Sequence, residues 1–155
     1  MDTCQLTHAV SQDGTLSEIF LGVFPKDMIP RTRTHSCLIA NTDKSNQKGT
    51  HWIAMYKDIN ICEFFDSYGR PPFKNKYLGK NYIYNNKILQ SFNTYVCGEY
   101  CLYFLYYRCR GNTLIEIIDT LKCEGDSIVE DFVSQNFDIC NKGMGMCCKA
   151  LQKPI

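Results

Sequence analysis

CGEYCLYFLYYR, residues 97–108, is the stretch that decides the architecture. It contains no proline, and its one glycine stands near the start, so three helical turns run without a breaker. Apolar side chains fill nearly every position instead of one stripe, which marks a helix buried on all sides. Such a helix needs structure around it, and the flanking sequence supplies two kinds. Upstream, short apolar runs at 18–24 (EIFLGVF), 36–41 (SCLIAN), 51–56 (HWIAMY) and 61–66 (ICEFFD) carry the aromatic and β-branched content of strands. The polar connector Lys57-Asp58-Ile59-Asn60 makes the last two a hairpin, and the prolines of SYGRPP (67–72) stop the ladder. The segment 87–92 (KILQSF) reads as one more short strand. Downstream, Thr113–Leu121 and Asp126–Phe137 have amphipathic helical spacing. Thr113 with Glu116, and Ser127 with Glu130, match the capping-box pattern. The fold class is therefore α+β: a small strand-rich sheet packed against helices around one buried helix that starts at Cys97.

At 155 residues the chain reads as a single domain with room for a real core. The tail 141–155, with Cys147-Cys148, reads as a mobile terminus. Seventeen Lys and Arg balance sixteen Asp and Glu, giving a net charge of +1, which argues against a general nucleic-acid binder. The chain opens without a basic and apolar leader, and its longest greasy stretch, Tyr95 to Tyr107, carries Glu99 and is too short to span a bilayer. A soluble, intracellular, monomeric protein with no membrane association is the expectation. Ten cysteines without a secretion signal predict thiols that stay reduced. No Cys-x-x-Cys occurs and only three histidines are present, so neither a metal nor another cofactor is expected.

Three residues gain meaning only as a set. His51 before Trp52 reads alone as packing, Asp66 as a turn former, and Cys97 as an inert buried thiol. Antiparallel pairing of 51–56 with 61–66, however, brings His51 and Asp66 to the same sheet edge. Asp66 then orients the imidazole, and His51 takes a proton from a thiol at a helix N-terminus, where the thiolate is favoured. Gln90, seven residues before Cys97, supplies an amide donor for an oxyanion. These are the parts of nucleophilic thiol catalysis, in the chain order His, Asp, Gln, Cys.

At these residues the sequence resembles the adenovirus cysteine protease (adenain) family, whose wider clan includes SUMO-type proteases and those of Polinton/Maverick elements. FLGVF (20–24) and CLIANT (37–42) resemble its early strands. Gly49-Thr50-His51-Trp52 is similar to its histidine strand, Phe64-Phe65-Asp66-Ser67-Tyr68-Gly69 to its acidic strand, and Gln90-Ser91 through Cys101 to its nucleophile segment. The resemblance runs from about residue 18 to 110. It implies Cys97 as nucleophile, His51 as general base and later acid, Asp66 as orienting carboxylate, and Gln90 with the Cys97 backbone N–H as the oxyanion hole. It also implies a polypeptide substrate, a cut after Gly, and a role in maturing viral or mobile-element structural proteins, in host cytoplasm, nucleus or virion. Trp52 beside the base narrows the channel and supports a glycine at the cut. The span from Asp66 to Gln90 is shorter than in the adenovirus enzyme and no cysteine lies between Cys62 and Cys97, so an activating peptide does not carry over. The near-neutral charge gives no support to a DNA cofactor. Within the clan the same residues also serve isopeptidases of ubiquitin-like modifiers and acetyltransferases. A binding module with structural cysteines is the alternative outside catalysis.

Overall fold

The computed structural model describes residues 1–31 and 33–139; the predicted mobile tail lies outside them. Five strands form one mixed sheet in sequence order: β1 (Phe20–Phe24), β2 (Ser36–Asn41), β3 (Trp52–Lys57), β4 (Cys62–Phe65) and β5 (Tyr82–Tyr84). The three central strands are antiparallel neighbours, while β1 on β2 and β5 on β4 are parallel. Helices α1 (Thr3–Ser11) and α2 (Gly14–Ile19) precede the sheet; α3 (Cys97–Arg108), α4 (Leu114–Leu121) and α5 (Gly125–Asn136) follow it.

Alternation along the strands divides the core in two. Cys37 and Ile39 of β2, Ala54 of β3 and Phe65 of β4 face the helices, where they meet Leu102, Phe104 and Leu105 of α3. Leu38, Ala40, Ile53, Met55, Cys62 and Phe64 face the other way, under Ile29, Tyr77 and Leu78 from the irregular segments. With both faces covered, β2 and β4 carry no exposed residue, which is why they read as continuous apolar runs. The buried helix is as expected: seven of the twelve residues of α3 are buried, and Phe104 lies flat on Phe65 with ring centroids 4.6 Å apart.

Four readings need correction. The two N-terminal helices were not foreseen; α1 opens on a capping box in which Asp2 accepts from the Gln5 N–H and the Gln5 side chain accepts from the Asp2 N–H. Residues 87–92 are not a strand. Leu89 and Gln90 both donate their backbone N–H to the Ser67 carbonyl, and Ser91 N–H faces the Asp126 carboxylate, a pattern no ladder allows. The Thr113–Glu116 capping box forms, but Ser127 does not cap α5, which begins at Gly125. The earlier start places Gly125 against the Tyr100 hydroxyl, where a Cβ would collide. Finally, Cys4 is disulfide-bonded, whereas Cys37, Cys62, Cys97, Cys101, Cys109 and Cys123 are free. No helix among the described residues is long and apolar enough to cross a membrane.

Candidate active site

Pairing of β3 with β4 aligns Ala54 with Phe65, so the residues just beyond the strand ends, His51 and Asp66, come to one edge. His51 Nε2 lies 2.7 Å from Asp66 Oδ1, and both side chains are almost fully buried. A carboxylate only accepts, so Nε2 carries the proton and Nδ1 is left for another partner. That partner is Cys97, the first residue of α3, whose thiol hydrogen-bonds to His51 and also receives the Trp52 backbone N–H.

The two groups are shifted in opposite directions from the free side chains, the imidazole up and the thiol down. Burial works against an imidazolium at His51, but hydrogen bonds and charges from Asp66 and Cys97 outweigh it and push the group up to about 9. Burial likewise opposes a thiolate at Cys97, yet the His51 hydrogen bond, the Trp52 N–H and the His51 charge hold the thiol below its ordinary value. One turn along, Cys101 has burial and no such donors, and its thiol is driven far above the usual range.

A second set of bonds fixes the acid. Asp66 Oδ1 also accepts from the Tyr68 N–H at 2.8 Å. Asn85, itself buried, accepts from the Asp66 N–H at 3.0 Å and donates back to the Asp66 carbonyl at 2.7 Å, so a side-chain amide continues the ladder where β4 ends. Ser67 then clasps Gln90: its carbonyl takes the Gln90 N–H at 3.1 Å, and its hydroxyl donates to Gln90 Oε1 at 2.7 Å. Gln90 Nε2 donates one hydrogen to the Thr94 carbonyl at 3.0 Å, which leaves the second free. Gly69 permits this approach. Its φ is +66°, and a Cβ there would sit 2.5 Å from the Lys87 carbonyl carbon.

The structure thus brings His51, Asp66 and Cys97 together, while the bonds of Gln90 run to Ser67 and Thr94 on the loop leading into α3. Asn85, Ser67 and Tyr68 were missed as site residues. The Asn85-Asn86 pair after YIY is the turn signal that points to the first of them. Among the described residues no group of three or more His, Cys, Asp or Glu is placed to hold a metal ion.

Two solved structures of the ASFV pS273R protease superpose on this chain. The first, a selenomethionine form, gives a TM-score of 0.52 at 22% identity over 67% of this chain and 45% of that one. The second gives 0.59 at 16% identity, over 90% and 71% respectively. The chain shares the fold of the pS273R protease. It spans less than half the length of the first of these structures, and at these identities the likeness is one of fold. No family model and no curated protein matches the sequence. In this pS273R-like fold, a cleft of about 610 Å³ opens beside Cys97, between the loop 41–50, Val23-Phe24-Pro25 and the rings of Trp52 and Tyr95. The indole N–H of Trp52 is tied to the Met1 carbonyl at 2.9 Å, which fixes the ring in the cleft wall.

Proposed function

We propose that this chain is a cysteine endopeptidase of the adenain type. The observation that carries the reading is a thiol at a helix N-terminus hydrogen-bonded to an imidazole whose second ring nitrogen lies 2.7 Å from a buried carboxylate. Cys97 thiolate attacks the substrate carbonyl carbon, and the electron pair moves to the carbonyl oxygen. The oxyanion takes the free Nε2 hydrogen of Gln90 and the Cys97 backbone N–H. The imidazolium of His51 gives its Nδ1 proton to the leaving nitrogen, the C–N bond breaks, and a thioester remains on Cys97. Water then attacks, with His51 as base, and frees the acid and the thiol. Asp66 holds the imidazole in place throughout and takes no proton.

The substrate is a polypeptide with glycine just before the cut, a reading supported by the bulk of the Trp52 ring in the cleft wall beside Cys97. Structural proteins of a virus or mobile element are the targets, cleaved in the host cytoplasm, the nucleus or the virion. The test is intact-mass labelling with thiol-reactive probes carrying a peptide ending in glycine, a ubiquitin-like protein, or an acetyl thioester. Selective labelling of Cys97 by the peptide probe supports the endopeptidase. Labelling by the second or third probe alone would move the reading to an isopeptidase or an acetyltransferase. No selective labelling at neutral pH would leave a binding module.

A further inference from the structure

The loop between Gln90 and Cys97 presents an aromatic ring that the chemistry above does not use. Phe92 is 77% exposed, yet its ring is stacked on Tyr68 at 5.7 Å with the planes 9° apart, and Tyr68 is stacked on His51 at 4.8 Å. Three rings therefore run in file from the buried imidazole to solvent. The loop beneath Phe92 is held on both sides: Ser91 N–H faces the Asp126 carboxylate, and the Thr94 hydroxyl lies 3.0 Å from the Ser91 carbonyl and 3.2 Å from Asp126 Oδ2. A single exposed ring is ordinary on a protein surface, but this one stands on a fixed backbone and is joined by stacking to the imidazole.

The reaction decides which part of a substrate would cover it. The leaving nitrogen receives its proton from His51, so the chain after the scissile bond departs over the imidazole and its stacked neighbours. The acyl side occupies the cleft beside Cys97, which is walled by Trp52 and Tyr95 and not by Tyr68 or Phe92. The Arg70 guanidinium stands 5.0 Å from the centre of the Tyr68 ring, so a basic side chain arriving there meets a like charge.

We propose that Phe92, backed by Tyr68, is a platform that selects an apolar or aromatic side chain immediately after the cut and rejects a basic one. This rests on the endopeptidase reading. The test is digestion of a proteome-derived peptide library by the wild type and by Phe92→Ala, with both sides of every cut mapped by mass spectrometry. In the wild type, aromatic and large aliphatic residues should be enriched after the cut about fivefold over glycine, with Lys and Arg below background. In Phe92→Ala that ratio should fall to near one. Cutting by the wild type with no preference after the scissile bond would overturn the platform while sparing the peptidase. An undiminished preference in Phe92→Ala would do the same. Absence of any cutting would overturn the peptidase reading and the platform with it.

Discussion

The two ends of α3 each meet an acidic residue of the β4 segment, and they use it differently. At the C-terminal end, Arg108 Nε donates to Glu63 Oε2 at 2.7 Å, with the guanidinium over the Tyr56 ring. At the N-terminal end, Asp66 reaches the helix through His51. Arginine stays charged at any pH the protein meets, so the first link is a permanent brace. A histidine between a carboxylate and a thiol has the chemistry to pass a proton, so the second can move charge. The same strand segment thus anchors one end of the helix and orients a thiol–imidazole pair at the other; the amino acid placed between carboxylate and helix sets the difference.

Removing the thiol is the strongest way to break the comparison. Cys97→Ala should lower turnover by about 10⁴-fold or more, with the melting curve little changed. Cys101→Ala, one turn deeper, should retain turnover and lose about 1 kcal/mol of stability through packing. Equal activity of Cys97→Ala and wild type, measured on the same peptide, would end the assignment.

Next come the groups that manage the proton. His51→Ala should leave almost no activity, while Asp66→Asn should leave a measurable rate. The pH profile sharpens this. Activity should rise as the Cys97 thiol deprotonates below its ordinary value and fall again as His51 loses its proton near 9. Asp66 raises His51, so Asp66→Asn should move the alkaline limb to lower pH. An alkaline limb that stays in place would detach Asp66 from the imidazole.

A smaller effect is expected at the oxyanion. Gln90→Ala should reduce kcat about a hundredfold, the size of one lost donor, with the profile keeping its shape. Full activity in that variant, by steady-state kinetics, would remove Gln90 from the site.

The brace should give the smallest effect on chemistry. Glu63→Gln should cost about 2 kcal/mol of stability, because it leaves the Arg108 cation half-buried without its anion. The rate per folded molecule should not change. A loss of kcat with unchanged urea midpoint would show that the two ends of α3 are not separable.

What was legible in the sequence follows from the length of each signal. The helix at 97–108 and the strands at 36–41, 51–56 and 61–66 are long apolar runs whose burial is two-sided, and they stand within a residue of their expected places. The strand β5 is three residues long and pairs only with Cys62, Glu63 and Phe64 of β4, too short to outweigh its polar surroundings. Helix α1 is short and its first turn lies at the start of the chain, so periodicity had little to work with, although Asp2-x-x-Gln5 carried the cap. His51, Asp66 and Cys97 could be singled out because their residue types and the hairpin register point to one edge. Ser67 and Tyr68 could not, because each acts on its neighbours across a turn that spacing does not reveal, and for Asn85 the only signal was the Asn85-Asn86 turn pair.

Gly69 shows how narrow a sequence constraint this geometry imposes. Every other amino acid would put a carbon where the Lys87 backbone already is, on a φ of +66°. The crossing it allows is where the acid-bearing turn and the glutamine-bearing loop touch. A substitution there alters no reactive atom, yet it would wedge the two segments apart and loosen both at once. Position 69 is therefore closed to neutral drift: a codon change would be silent in the chemistry and audible in the spacing of everything around it.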